Sequence, residues 1–160
     1  MSPFKVLPVA YWRRQKNASR YASVASLTSM LHYIHMENEP VAKRVLIVED
    51  EKSLAKAMGF VITRHGFEIR TVYSGEEALE ILKKEKFDMV LLDILLPSIG
   101  GLETLREMRS GGDMTPVIIL SNLSDAETMK QAKELGAQDY LLKSSTPILQ
   151  VIDQIKAFLK

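Results

Sequence analysis

MVLLDILLPSIGG, Met89 to Gly101, joins an unbroken apolar run to one carboxylate and then to a turn. Met89, Val90, Leu91 and Leu92 lack the polar alternation of a strand with one wet face, so they read as a strand covered on both sides. Asp93 follows directly, and Pro97, Gly100 and Gly101 turn the chain away. An acid where a buried strand emerges into a loop is a candidate reactive group. Three other apolar runs end the same way: Val45 to Val48 in Glu49-Asp50, Val117 to Leu120 in Ser121, and Tyr140 to Leu142 in Lys143.

From Arg44 onward, such runs alternate with segments of helical period, the pattern of strand-helix units around a parallel sheet. Strands are expected near Arg44–Val48, Glu68–Val72, Met89–Asp93, Val117–Leu120 and Asp139–Leu142, the first, third and fourth buried on both faces. Leu54, Met58, Val61 and Ile62 form a helical stripe that stops at His65-Gly66, where glycine suits a left-handed cap. Ser74 with Glu77, and Ser124 with Glu127, have capping-box spacing. Gly136 ends the fourth helix. Thr146 reads as the N-cap of a last helix with Pro147 in its first turn and Ile148, Val151, Ile152, Ile155 and Leu159 on one face.

The 160 residues are 46% hydrophobic and 26% charged, enough for one well-buried core and too few for a second sizeable domain. The net charge of +1 hides a division: residues 1–36 hold Lys5, Arg13, Arg14, Lys16 and Arg20 and no acid, leaving 16 bases against 20 acids in the remainder. That body is mildly acidic, so nucleic acid is not its expected partner. The absence of cysteine excludes disulfides and thiolate metal sites and fits a reducing cytoplasm. No apolar stretch approaches the ~18 to 20 residues that cross a bilayer. Residues 1–42, with Pro3, Pro8, Asn17 and Pro40 among scattered aromatics, are expected to be a poorly structured extension. Met36, just before residues 43–160, is the expected translation start.

Right-handed crossovers favour a doubly wound α/β fold, a five-stranded parallel sheet of order 2-1-3-4-5, as in flavodoxin. Its direction reverses between strands 1 and 3, the two that end in Glu49-Asp50 and Asp93. Two like charges ~4 Å apart repel by roughly 4 kcal/mol at an effective dielectric near 20, so three carboxylates there should raise a pKa or hold a cation. Oxygen ligands favour a hard divalent ion, foremost Mg²⁺. Taken singly, Asp93 could be a turn cap, Lys143 a solvated charge, Ser121 a turn hydroxyl and Glu49-Asp50 a helix cap. Chance poorly explains four such groups at the ends of four strands.

These residues resemble the receiver domain of two-component response regulators, the CheY-like (βα)5 family. The resemblance covers about Lys43 to Lys160: an acidic pair after strand 1 (Glu49, Asp50), an aspartate after strand 3 with Pro97 and Gly101 beyond it, Ser121 after strand 4 and Lys143 after strand 5. It implies that Asp93 accepts a phosphoryl group from a phosphohistidine of a sensor histidine kinase or a phosphotransfer protein. It further implies that Asp50 binds Mg²⁺ directly, Glu49 does so through water, and the Leu95 backbone carbonyl completes the protein ligands beside Asp93. Lys143 and Ser121 then contact the phosphoryl oxygens, and Tyr140 is the switch aromatic that reports to the face of helix 4, strand 5 and helix 5. The activity implied is self-phosphotransfer and autodephosphorylation in a stand-alone regulator, a monomer or a phosphorylation-dependent dimer with an unidentified protein target.

Three departures from the family pattern bear on this. Ser144 stands where proline is usual, so the customary cis peptide is not expected, a non-proline cis bond costing ~2.5 to 4 kcal/mol. Asn122 replaces a common alanine beside the site. Leu95 and Leu123 are both apolar where the family tunes dephosphorylation. Asn122 and Ser144 keep open a receiver that works without phosphorylation. A Mg²⁺-dependent aspartate-nucleophile phosphatase would want a second acid at position 95, where Leu95 stands.

Overall fold

Polar backbone groups of five apolar runs find partners in one parallel sheet of order β2-β1-β3-β4-β5. The computed structural model describes residues 42–160, so the expectations for residues 1–41, the Met36 start among them, lie outside the described residues. The elements are β1 (Arg44–Val48), α1 (Lys52–Thr63), β2 (Glu68–Val72), α2 (Gly75–Lys84), β3 (Met89–Leu92), α3 (Gly101–Ser110), β4 (Val117–Ser121), α4 (Ala126–Glu134), β5 (Asp139–Leu142) and α5 (Ile148–Phe158). The expected fold class and strand order are those observed. Asp93 is the first residue past β3, and Ser121 the last of β4.

The alternation of side chains along each strand divides the core in two. Val45, Ile47, Met89, Leu91, Ile118 and Leu120 pack with Met58 and Ile62 of α1 and Val151, Ile152 and Ile155 of α5. Leu46, Val48, Val90, Leu92, Val117 and Ile119 pack with Ala78, Ile81 and Leu82 of α2, Leu105 and Met108 of α3, and Ala132 of α4. Central strands β1, β3 and β4 are therefore apolar without interruption, whereas the edge strands β2 and β5 are partly exposed. A charge could not stand in the middle of such a strand without losing its hydration, so functional polar groups are confined to strand ends.

Helix ends follow the sequence in part. Gly66 and Gly136 take the left-handed conformation, at φ +92° and +81°, that closes α1 and α4. Ser74 caps α2 by accepting from the Glu77 N–H, while the Glu77 carboxylate accepts from the Tyr73 N–H one residue earlier than in a capping box. Two expected caps are corrected. Asp125, not Ser124, caps α4, because its carboxylate accepts from the Thr128 N–H at 2.8 Å and an anion suits a helix N-terminus. Pro147, not Thr146, stands at the N-cap of α5, with no side-chain cap bond. Nor do Glu49 and Asp50 cap α1, whose N-cap is Glu51.

At the amino end of the sheet Arg44 bonds to Glu68 and Glu85 and lies 4.8 Å from the centre of the Phe87 ring. Such largely exposed pairs contribute little stability. At the carboxyl end, a Cβ added to Gly101 would overlap the carbonyl oxygen of Asp93 and fall 2.8 Å from the Ile94 Cα. Gly59, inside α1, meets nothing closer than 3.6 Å. One substitution thus has opposite expected signs. Gly101→Ala should lower unfolding free energy by about 1 to 3 kcal/mol, whereas Gly59→Ala should raise it by about 0.5 to 1 kcal/mol, both measured by urea titration.

Candidate functional site

Parallel register carries the four strand-end groups to one edge. Val48 pairs with Leu92 and Ser121 with Leu142, so the residues that follow β1 and β3 emerge side by side, as do the ends of β4 and β5. Backbone bonds continue past the strands: Asp93 N–H donates to the Val48 carbonyl at 3.0 Å, Glu49 N–H to Val72 at 3.1 Å, and Lys143 N–H to Ser121 at 2.9 Å. The loop positions of Glu49, Asp93 and Lys143 are thereby held as firmly as strand residues.

Carboxylate oxygens of Glu49, Asp50 and Asp93 lie within 4.8 Å of one another. Glu49 is 2% exposed and Asp93 5%, while Asp50 faces solvent. The Lys143 ammonium reaches across from β5 and donates to Glu49 Oε2 at 2.5 Å and to Asp93 Oδ2 at 2.6 Å. Asp93 Oδ1 accepts from the Leu95 N–H at 3.1 Å. One base therefore serves two buried acids, with a third acid at the mouth.

The electrostatics follow from this geometry. Burial pushes the Glu49 carboxyl above its usual range, more strongly than its bond to Lys143 and that charge pull it down. Burial alone would weaken the Lys143 ammonium, but hydrogen bonds to Asp93 and Glu49, and their charges, raise it on balance. The cluster keeps an excess of negative charge after Lys143 is counted. Its donors are all oxygen, and neither cysteine nor histidine enters the group, so the residues fit a hard divalent cation such as Mg²⁺.

Ser121 and Tyr140 meet at a single peptide. The fully buried Ser121 Oγ accepts from the Leu123 N–H at 3.3 Å, and the Tyr140 hydroxyl donates to the Leu123 carbonyl at 2.9 Å. Burial raises the Tyr140 hydroxyl above its ordinary range, which keeps it a donor at neutral pH. Leu95 lies two residues past Asp93 with its side chain 53% exposed. Six of the seven residues singled out in the sequence thus lie at the carboxyl end of the sheet or on its neighbouring loops, and the seventh, Tyr140, lies within β5 and reaches the Leu123 carbonyl through its hydroxyl. What the sequence did not disclose is the bond between Lys143 and Glu49. Opposite charges at the ends of β1 and β5 were its only trace.

A family model described as the response regulator receiver domain matches residues 45–153. The alkaline phosphatase synthesis transcriptional regulatory protein PhoP of Bacillus subtilis is 33% identical over 118 residues, covering 74% of this chain and 49% of PhoP. The chain thus spans about half the length of that curated relative. Among solved structures, the Francisella response regulator 1452 receiver domain is 27% identical with a TM-score of 0.70, covering 73% of this chain and 96% of that one. The BeF3-activated N-terminal receiver domain of Klebsiella pneumoniae RstA is 29% identical with a TM-score of 0.69, covering 74% and 99%. Among the described residues, no helix is long and apolar enough to cross a membrane.

Because a cation bound only by the folded state stabilises it, by about 2.7 kcal/mol at 100 times its dissociation constant, Mg²⁺ should raise the melting temperature. The sign of its pH dependence follows from Glu49. Below its raised pKa this carboxyl holds a proton and offers no anionic oxygen, and above it the full cluster is available. The Mg²⁺-induced shift should therefore grow as pH rises through the raised pKa of Glu49. Calorimetry should show that growth flattened in Glu49→Gln and the shift itself much reduced in Asp50→Asn.

Proposed function

The chain belongs to the response regulator receiver domain family, and on that premise we propose that residues 43–160 form the phosphoacceptor module of a two-component signalling system. The observation that carries this reading is Asp93, a carboxylate 5% exposed, bonded to Lys143 at 2.6 Å and grouped with two further acids. An Asp93 oxygen attacks the phosphorus of a phosphohistidine on a sensor kinase or phosphotransfer protein. The new O–P bond forms as the P–N bond breaks. The departing imidazole keeps the bonding pair and takes a proton from solvent.

Asp50, Glu49 and Asp93, with the Leu95 carbonyl, would hold the Mg²⁺ ion. When bound, Mg²⁺ supplies positive charge to the phosphoryl oxygens during in-line transfer. Lys143 donates to those oxygens once its bond to Asp93 gives way, and remains anchored by Glu49. Ser121 exchanges its acceptance from Leu123 for donation to the phosphoryl group. That exchange changes the Leu123 peptide that Tyr140 holds, and the face of α4, β5 and α5 shifts its population toward the form a target protein or a second copy binds. The RstA receiver domain, described as BeF3-activated, is a relative whose phosphoryl mimic supports this reading. No turnover of external phosphoesters belongs to this function.

Acetyl phosphate with Mg²⁺ should add one phosphoryl group per chain by intact mass, and Asp93→Asn should add none. Wild-type protein with Mg²⁺ that gains no such mass would count against the proposal. With apolar side chains at Leu95 and Leu123, no polar group there orients an attacking water. The Asp93 adduct should accordingly persist for minutes or longer after removal of the phosphodonor, followed by mass spectrometry, and a lifetime of seconds would contradict this.

A further inference from the structure

Gly75, the first residue of α2, touches neither Asp93 nor its charged neighbours, yet it is packed as tightly as Gly101. A Cβ added to it would overlap Thr104 Oγ1 and lie 2.8 Å from Ile99 Cγ1. Thr104, in the first turn of α3, is fully buried. Its hydroxyl donates to the Gly100 carbonyl at 3.0 Å, and its N–H donates to the same oxygen at 2.9 Å. The next residue, Gly101, closes the loop through its N–H to the Ile94 carbonyl at 2.9 Å and abuts the Asp93 carbonyl so closely that no side chain fits.

Inside that loop Ser98 holds φ +59°, the sole non-glycine positive φ among the described residues. A residue in that region persists where its surroundings over-determine it. Glu76 adds to the restraint. Its carboxylate is held below the usual range first by its own N–H, against burial, and then by the Ser74 hydroxyl, the Ile99 N–H and the Ser98 hydroxyl. The start of α2 is thus in contact with Ile99, inside the segment running from Ile94 to Gly101, and with Thr104 just beyond it.

We infer that the N-terminal turn of α2 is a positioning element for phosphoryl transfer: Gly75, seated on Thr104 and Ile99, fixes the loop after β3 and so the attack geometry of Asp93. This deepens the proposed function and rests on it. There is no slack along the path. Displacing Thr104 moves the Gly100 carbonyl it holds twice, and with it the Gly101 turn pressed on the Asp93 carbonyl. In-line transfer is sensitive to such shifts, since a misplacement near 1 Å is worth up to about 100-fold in rate.

The test is the rate of adduct formation with saturating acetyl phosphate and Mg²⁺, measured where circular dichroism and urea titration show each variant folded. Gly75→Ala should slow that rate by about 10- to 100-fold, and hydrogen exchange at the Gly101 N–H should quicken. Adding Thr104→Ala to Gly75→Ala removes the nearest atom in the way together with the hydroxyl that donates to Gly100, so it should recover part of the rate, up to that of Thr104→Ala alone. Thr104→Val supplies a second test without added volume, because it deletes only the hydroxyl that donates to Gly100, and it too should slow the reaction. A wild-type rate in folded Gly75→Ala, or in folded Thr104→Val should Gly75→Ala not fold, overturns the inference. So does a double variant that regains stability but not rate. Adduct formation by the wild type separates the two ideas: its absence removes both, whereas equal rates in wild type and variants remove this one alone.

Discussion

One ammonium shared by two buried carboxylates is the constraint around which the carboxyl edge of the sheet is built. Glu49 and Asp93 are withdrawn from water, and a buried charge without a partner destabilises a fold by several kcal/mol. Lys143 offsets part of that penalty for both at once, at 2.5 and 2.6 Å. It cannot neutralise both, and Asp50 adds a further negative charge at the surface. The edge therefore carries a standing demand for cationic charge, which the continuous apolar strands beneath it cannot meet. A bound divalent ion would answer that demand, and under the proposed function a phosphoryl group would give Lys143 a new acceptor without leaving Glu49 bare.

The same edge is joined to Tyr140 by backbone. Lys143 N–H bonds to the Ser121 carbonyl, Ser121 Oγ accepts from Leu123, and Tyr140 donates to the Leu123 carbonyl. A change in what Lys143 and Ser121 contact is therefore felt at Leu123, in the loop that leads into α4. That helix is the least anchored of the five, burying Ala132 alone, whereas each of the others buries at least three residues. Elements with few buried contacts have low local stability, and these are the ones a small local change can move. The loop after β3 is built the other way, with the start of α2 packed against Ile99 and Thr104.

Much of this was legible in the linear sequence. Uninterrupted apolar runs at Val45–Val48, Met89–Leu92 and Val117–Leu120 identify strands with two covered faces, and the first polar residue after each is the group the fold delivers to its edge. The cap positions were less legible. Ser124 and Asp125 are both good N-cap residues, and the choice fell to Asp125 because the chain leaving β4 brings its carboxylate to the Thr128 N–H. Thr146 lost its role for a related reason, since its N–H bonds back to the Leu142 carbonyl and α5 opens at Pro147.

The sequence by itself determined the strand order's ingredients, the doubly wound class and the identity of the groups at the strand ends, because side-chain periodicity and turn chemistry act over a few residues. Only the tertiary structure decided that Glu49, not Asp50, is the buried acid that shares Lys143 with Asp93. It also decided that Gly75 rests on Thr104. Those choices join residues as far as 94 positions apart, and they depend on which face of each element packing turns inward, a property that no local pattern carries.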